Sequence, residues 1–171
     1  MYCNKEQELT ALKAAAEAAR QAGHPIINHF DGHYRFLSNF YEVPVTYNGI
    51  TYRNTEAAFQ AQKCLERAHE FADISANEAK RLGRKVTLRS DWNNVRIGIM
   101  HDIVLAKFCQ NTDLYEQLIA TGDYELIEGN YWGDHFWGVC SGTGENHLGQ
   151  ILMQVREELK DTLTQVVDNL V

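Results

Sequence analysis

The sequence lacks any long apolar run, since no stretch of its 171 residues approaches the roughly 18 apolar residues of a membrane-spanning helix. Positive charge is also scarce: 16 Lys and Arg stand against 23 Asp and Glu, which gives a formal net charge of −7. General nucleic-acid binders normally carry a basic patch or stripe, so this balance argues against that class. It is compatible with a pocket in which a few local Arg and Lys hold a phosphate.

Clustered cysteines are missing too, because Cys3, Cys64, Cys109 and Cys140 lie far apart and form no C-x-x-C pair. Zinc sites need clustered ligands, and secreted disulfide scaffolds are shorter and denser in Cys, so we expect free thiols and no metal site.

The first ten residues are polar and lack the basic-then-apolar order of a signal peptide. We therefore expect a cytoplasmic protein.

The length and composition fit one globular domain. The apolar fraction is 44% and the charged fraction 23%, both ordinary for such a domain. Residues 5–22 are rich in Ala, Glu, Lys and Leu, and Gly23 and Pro25 follow them, which predicts a helix that ends there. We expect residues 1–25 to form an N-terminal accessory helix and residues 26–171 to form the main domain.

The main strand signals lie in the N-terminal third of the chain, and residues 124–127 are a further stretch for which an extended conformation is expected. Residues 36–41 and 43–47 are short aromatic or β-branched stretches, and the Asn48-Gly49 turn leads into a third stretch, residues 50–53. These signals predict a small β-hairpin or three-stranded sheet.

The rest of the sequence is mainly helical in pattern. Asn54 and Ser90 can cap helices, and an apolar stripe with helical spacing runs from Leu148 to Leu170. The predicted helices cover residues 55–67, 76–82, 91–108, 113–120 and 147–170, and a glycine-rich loop covers residues 130–146. The predicted fold class is mainly α, a single compact helical domain with a small β-hairpin element.

A face of mixed chemistry is predicted on the helix that follows Asn54. Glu56, Gln60 and Lys63 fall at i, i+4 and i+7, so they share one face, with Phe59 close by. That face would place a carboxylic acid, an amide, an amine and an aromatic ring close together on one side of the helix. Taken alone, such a pattern more often belongs to a solvated helix face, with an acid in the first turn of the helix, than to a functional site.

The stretch Arg35-Phe-Leu-Ser-Asn-Phe-Tyr41 combines aromatic rings with polar side chains. Such a stretch could stack a base and hold a phosphate or a ribose hydroxyl. The alternative is a half-buried edge strand, which the strand propensity of these residues favours.

The loop at residues 130–146 places Asp134 among Tyr, Trp and Phe residues. A carboxylate in such surroundings is a candidate proton donor or acceptor, and glycines let the backbone approach a ligand closely. The loop runs into the start of the last helix, a favourable place for a phosphate. The alternative is a loop packed by its own aromatic side chains. Trp92, taken alone, is more typical of a core anchor.

Taken together, these stretches resemble the NADAR family, also called YbiA-like proteins. The resemblance spans most of the chain, and its pieces occur in the family's order. They are Phe36-Leu-Ser-Asn-Phe-Tyr41, Gly49 with Tyr52, Thr55-Glu-Ala-Ala-Phe-Gln-Ala-Gln-Lys63, Arg89-Ser-Asp-Trp92, Leu105-Ala-Lys-Phe108, Tyr131-Trp-Gly-Asp134 and Asn146-His-Leu-Gly-Gln-Ile-Leu-Met153.

The resemblance implies a mainly helical fold with a small strand element, and an N-glycosidase activity that needs no cofactor. Some members of the family hydrolyse phosphoribosylamino-pyrimidine intermediates of riboflavin biosynthesis, and others remove ADP-ribose from guanine bases. By resemblance, the catalytic residues are Glu56, Lys63 and Asp134. The substrate-binding candidates are Arg35, Ser38, Asn39, Phe40, Phe59, Gln60, Trp92, Trp132, Gly133 and Asn146.

Two mechanisms stay open for such a site. Lys63 could attack the anomeric carbon and open the sugar as a Schiff base, while Glu56 and Asp134 divide the acid and base work. Alternatively, a carboxylate could activate water, and Lys63 would bind a phosphate or ribose oxygen. A rival from another class is a non-catalytic module that binds ADP-ribose or a nucleotide.

The expected partner is a small phosphoribosyl or ADP-ribosyl molecule, or ADP-ribosylated guanine in nucleic acid. The acidic net charge favours a free metabolite, because long nucleic acid would be repelled. We expect no membrane association and no obligate protein partner.

Overall fold

The computed structural model describes Gly23 and residues 25–168, with side chains described up to residue 162. In chain order the elements are β1 (Ile26–Ile27), a 3-10 helix (Gly32–Leu37), β2 (Glu42–Tyr47), β3 (Ile50–Asn54), α1 (Thr55–Ala61), a second 3-10 helix (Leu65–Phe71), α2 (Ala76–Gly83), α3 (Trp92–Gln110), α4 (Thr112–Ala120), β4 (Glu125–Leu126), β5 (Gly129–Asn130), β6 (Val139–Cys140) and α5 (His147–Asp168). The mainly helical fold class is confirmed.

Two compact units divide these elements between them. One comprises Phe36–Gln117, and the other comprises the described residues of Met1–Arg35 together with those of Leu118–Val171. The helix predicted for residues 5–22 lies outside the described residues, so the accessory role of residues 1–25 stays a prediction.

The predicted hairpin is present in the first unit. Strands β2 and β3 pair in antiparallel fashion, with Val45 opposite Tyr52. Asn48 and Gly49 connect them with φ angles of 49° and 78°, the left-handed conformation that a tight two-residue turn requires. The N-terminal third therefore carries the strand element that the Asn-Gly signal predicts.

The prediction of a strand at residues 36–41 is wrong. Phe36 and Leu37 end the first 3-10 helix and are buried, and residues 38–41 are in turns and bends without strand pairing. The Nζ of Lys107 donates to the carbonyl oxygens of Phe36, at 2.5 Å, and of Ser38, at 3.0 Å. Because these carbonyls bind a side chain, they are unavailable to a neighbouring strand.

Helix α1 begins where predicted and ends earlier. The Oδ1 of Asn54 accepts a hydrogen bond of 2.8 Å from the amide of Ala57, which is the expected cap. The helix stops at Ala61, not near residue 67. The carbonyl of Lys63, which would accept from the next helical turn, instead accepts the amide of Arg89 at 2.9 Å.

Helices α2 and α3 lie where they are predicted, but the N-cap residue of α3 differs from the prediction. Ser75 begins α2 with a capping box, in which Glu78 is the reciprocal partner. Helix α3 begins at Trp92, and its N-cap residue is Asp91 rather than the predicted Ser90. The Asp91 carboxylate makes no cap bond, because it binds the guanidinium of Arg89 at 2.6 and 2.8 Å.

The second unit is built on the C-terminal helix α5. Its apolar stripe is buried up to Leu159, and an added Cβ at Gly149 would overlap the carbonyl oxygen of Leu126 in β4. Strand β1 pairs in parallel with β4, and β5 pairs in parallel with β6. The described helices include none long and apolar enough to cross a membrane.

Candidate active site

The mixed face of α1 is buried. Glu56 and Gln60 each expose 6% of their surface, and Phe59 exposes 3%. The Nε2 of Gln60 donates a 2.8 Å hydrogen bond to Oε1 of Glu56. A solvated helix face, the more common meaning of the pattern, is therefore excluded. Buried carboxylates need such partners, and Gln60 fixes the orientation of this one.

Lys63 lies in the turn after α1, not on the helix itself. The turn keeps Lys63 close to the helix, because its amide still bonds to the carbonyl of Gln60 at 3.2 Å. Its Nζ lies 5.7 Å from the ring centroid of Trp92, whose ring centroid is 5.0 Å from that of Phe59. Trp92 is 6% exposed, so it is both a core side chain and a wall beside the amine.

Trp92 reaches this position through the chain segment that precedes α3. The amide of Arg89 bonds to the carbonyl of Lys63, and the amide of Trp92 bonds to the carbonyl of Arg89 at 3.2 Å. These two bonds attach the start of α3 to the end of α1. The stretches around Lys63 and Trp92, distant in sequence, are thereby held side by side.

The electrostatics of the site act on Lys63. Burial is the largest influence and lowers the pKa of the Lys63 ammonium below its ordinary value. The Glu56 carboxylate opposes this shift in pKa, whereas Arg84 and Lys80 add to it. The neutral amine, which is the nucleophilic form, is therefore more accessible near neutral pH than for an exposed lysine.

Residues 38–40 are attached to the start of α1. The carbonyl of Asn39 accepts the amide of Glu56 at 3.0 Å, and the Nδ2 of Asn39 contacts the sulfur of Met100 at 3.3 Å. Within the described residues the Oδ1 of Asn39 is buried without a hydrogen-bond partner. The Oγ of Ser38 accepts the amide of Phe40 at 3.1 Å. The Oδ1 of Asn39 is therefore a candidate acceptor in a segment that the backbone attaches to Glu56.

A buried lysine that sequence reasoning missed supports this segment from α3. Lys107 is 1% exposed, and besides the carbonyls of Phe36 and Ser38 it lies near the rings of Tyr41, at 5.8 Å, and Phe108, at 5.2 Å. The available signal was its spacing: Lys107 follows Ile103 and Val104 at helical intervals on an otherwise apolar face. A lysine at such a position needs internal acceptors.

In the second unit, Asp134 organises its own loop. Its Oδ1 accepts the amides of Phe136, at 3.1 Å, and Trp137, at 2.9 Å. Asn130, 1% exposed and not predicted, holds the loop from inside: its Oδ1 accepts the amide of Asp134 at 3.0 Å, and its Nδ2 donates to the carbonyl of Asp134 at 2.7 Å. Asp134 is half-buried. A catalytic role for it stays a prediction.

The other predicted residues of this unit differ in exposure. Trp132 is 55% exposed, and Gly133 and Arg35 are also exposed. The Asn146 carboxamide is engaged by backbone: Nδ2 donates to the carbonyl of Leu126 at 2.9 Å, and Oδ1 accepts the amide of Glu128 at 3.0 Å. The structure therefore brings Asn39, Glu56, Phe59, Gln60, Lys63 and Trp92 together in the first unit. The roles of all the predicted site residues stay predictions, including those of Ser38, Phe40, Arg35, Trp132, Gly133 and Asn146.

No group of three or more His, Cys, Asp or Glu side chains within the described part of the chain could hold a metal ion. His29 and His33 have a four-residue spacing, but His29 precedes the 3-10 helix that begins at Gly32, so the spacing is not a helical one.

The sequence and the fold of this chain are similar to those of known proteins. The NADAR domain model matches residues 27–160. The chain is 40% identical over 149 residues to a riboflavin biosynthesis protein of Vibrio vulnificus. This match covers 81% of this chain and 40% of that protein. It is 37% identical over 140 residues to an N-glycosidase of Nostoc punctiforme, with 77% of this chain and 89% of that protein covered. The NMR structure of the E. coli protein YbiA is 35% identical, with a TM-score of 0.74, and covers 81% of this chain and 87% of that one.

The chain belongs to the NADAR family. The Nostoc relative and E. coli YbiA, which this chain matches over most of their length, are both named N-glycosidases. The expected enzyme class, a hydrolase acting on N-glycosyl compounds, is therefore confirmed.

Proposed function

We propose that this enzyme hydrolyses the C–N bond between a ribose and a base, with Lys63 as the nucleophile. One observation carries the proposal: a half-buried amine, with its pKa lowered by burial, lies beside the ring of Trp92 and within the electrostatic reach of a buried glutamate. Amines of this kind attack electrophilic carbon and form Schiff bases.

The first step forms one bond and breaks another at the anomeric carbon. The neutral Lys63 amine attacks that carbon, and the C–N bond to the base breaks with its electron pair moving to the base nitrogen. A carboxylic acid supplies the proton that this nitrogen takes up, and a carboxylate removes a proton from the attacking amine. The carboxyl group that took the amine proton then gives it to the ring oxygen, which leaves the anomeric carbon as a hydroxyl while the nitrogen lone pair forms the C=N bond of a protonated Schiff base. Water adds to it and releases the sugar and free Lys63.

Glu56 and Asp134 divide the acid and base work in this proposal. Glu56 is supported by its burial, its hydrogen bond from Gln60 and its effect on the pKa of Lys63. Asp134 is supported by the family resemblance and by the half-buried loop that holds it. In the alternative mechanism, one of these carboxylates activates water and Lys63 binds an oxygen of the substrate.

The substrate class is a phosphoribosylamino-pyrimidine intermediate of riboflavin biosynthesis or an ADP-ribosylated guanine. The name of the Vibrio vulnificus relative supports the first, although this chain spans only 40% of that protein's length. The net charge of −7 also favours a free metabolite over a base in nucleic acid. A module that only binds ADP-ribose would not need Glu56 buried next to a lysine, so the binding-module alternative is the weaker one.

The test is to incubate the protein with both substrate classes and to identify the released base by mass spectrometry. We expect release from one class by the wild type and none by Lys63→Arg, because a guanidinium does not lose its proton in this pH range. Lys85→Arg, a change of the same kind at an exposed lysine, is the control and should retain activity. Substantial activity in Lys63→Arg would favour the water mechanism, and no release from either substrate would refute the proposed function.

A further inference from the structure

Helix α2 carries Lys80, and Arg84 is its C-cap residue. Lys80 and Arg84 are four residues apart, so they lie on the same side of the helix, and Gly83 lies between them in sequence. At Gly83 the helix packs directly on α1: an added Cβ would overlap Oε1 of Gln60 and lie 2.8 Å from its Cδ. Gln60 precedes Lys63 by three residues, so the close approach of the two helices brings Lys80 and Arg84 near Lys63.

Neither of these two cations forms an ion pair with a described residue. Arg67 forms an ion pair with Glu70 at 2.6 Å, and Arg89 forms one with Asp91. Within the described residues, neither Lys80 nor Arg84 has a carboxylate within 4.0 Å, and the Nζ of Lys80 lies over the ring of Phe40 at 5.5 Å. In a protein with a net charge of −7, Lys80 and Arg84 are two positive charges that no described carboxylate pairs with, next to a lysine that Glu56 influences.

We propose that Lys80 and Arg84 form an anion subsite, beside Lys63, that holds the phosphate at the 5′ position of the substrate ribose. This inference rests on the proposed function, since it assumes a ribosyl substrate attacked by Lys63. Phosphoribosyl and ADP-ribosyl groups share a phosphoryl group at that position, on the same sugar as the reacting carbon. Arg84 can bind two phosphoryl oxygens at once, whereas Lys80 acts as a point charge.

The effect of these cations on Lys63 agrees with this assignment. Both lower the pKa of Lys63, as like charges close to an ammonium do. A bound phosphate would neutralise part of this positive charge, which moves the pKa of Lys63 back toward its ordinary value, and would place the sugar against the amine. Phe40, beneath Lys80, would then line the subsite, which agrees with its prediction as a binding residue.

The experiment compares two double variants that lose the same charge. Lys80→Gln/Arg84→Gln removes the proposed subsite, and Arg81→Gln/Lys85→Gln removes two exposed cations from the same end of α2. Binding of three probes is measured by calorimetry: methyl ribofuranoside 5-phosphate, its unphosphorylated form and ADP-ribose. The methyl group blocks the anomeric carbon, so Lys63 cannot form a Schiff base with the first two probes.

We expect the wild type to bind the 5-phosphate at least about tenfold more tightly than the unphosphorylated sugar, as charge-assisted hydrogen bonds predict. The Lys80→Gln/Arg84→Gln protein should lose most of that difference, and the control should keep it. Tighter binding of the 5-phosphate than of ADP-ribose would identify a phosphate monoester as the ligand, and the reverse order would identify a diphosphate.

Two results would overturn the subsite: equal weakening in both double variants, or no preference of the wild type for the phosphorylated sugar. The base-release assay separates this failure from that of the proposed function. Base release by a wild type without phosphate preference leaves the function and removes the subsite. Phosphate binding that depends on Lys80 and Arg84, without base release from any substrate, leaves the subsite and removes the function.

Discussion

Gly83 is the position where a single methyl group should disturb the candidate site. In Gly83→Ala the new Cβ would overlap Oε1 of Gln60 and lie 2.8 Å from Cδ and 3.2 Å from Cβ of that residue. The carboxamide is the movable part of this contact, so we expect it to swing away from α2. The 2.8 Å hydrogen bond from Gln60 to the buried Glu56 carboxylate is then lost.

The magnitude follows from two opposing contributions. Losing a buried hydrogen bond to a charged group costs about 1.5–3 kcal/mol. Replacing a helical glycine by alanine stabilises a helix by up to about 1 kcal/mol, and by less at its last residue, where Gly83 lies. We therefore expect Gly83→Ala to lower the free energy of unfolding by about 1–2 kcal/mol, and to lower activity because Glu56 loses its orienting partner.

Gly98 supplies the matched control. It lies inside α3, it is exposed, and no heavy atom of the described residues lies within 4 Å of a Cβ added there. Gly98→Ala should therefore raise the free energy of unfolding by about 0.5–1 kcal/mol. Urea unfolding followed by tryptophan fluorescence measures both variants, and base release measures activity.

A double-variant cycle tests the cause. In a Gln60→Ala background the clash is absent, so Gly83→Ala should become neutral or stabilising. If Gly83→Ala stabilises the otherwise unchanged protein as much as Gly98→Ala does, the close packing of α2 on Gln60 is refuted.

Three further predictions concern the first unit. Lys107→Met should lower the free energy of unfolding by about 2–4 kcal/mol in urea unfolding, because the carbonyls of Phe36 and Ser38 lose a buried cationic donor; unchanged stability would contradict this. Asn54→Ala should cost about 1 kcal/mol in the same assay, through loss of the α1 cap. In Glu56→Gln the carboxylate that raises the pKa of Lys63 is absent, so the rise of Lys63 acylation rate with pH should move to lower pH; a shift to higher pH would refute that electrostatic assignment.

Local signals were sufficient for several elements of the fold. The Asn48-Gly49 turn, the cap at Asn54 and the apolar stripe of α5 each depend on residues adjacent in sequence or one helical turn apart. Such features are encoded within a few residues, and the structure confirms them. The spacing of Glu56 and Gln60 likewise placed both on one helix face, where they form a hydrogen bond.

The structure differs from the sequence-based prediction where a residue distant in sequence donates a hydrogen bond to a backbone carbonyl. Lys107 donates to the carbonyls of residues 36 and 38, and the amide of Arg89 donates to the carbonyl of Lys63, just after the end of α1. Both contacts join segments far apart in the chain, so propensity and periodicity carry no signal for them. The burial of Glu56 and the position of Lys80 near Lys63 also depend on how helices pack against each other, which local sequence patterns do not encode.

The central claim is that Lys63 forms a covalent bond with the sugar. Its most direct test is turnover in the presence of borohydride, which reduces a Schiff base to a stable amine, followed by peptide mass spectrometry. We predict inactivation together with the mass of the reduced sugar fragment on Lys63, and no adduct on Lys80 or Lys85. Base release that continues undiminished under borohydride, with no added mass on Lys63, would contradict the covalent mechanism and leave Glu56 and Asp134 to activate water.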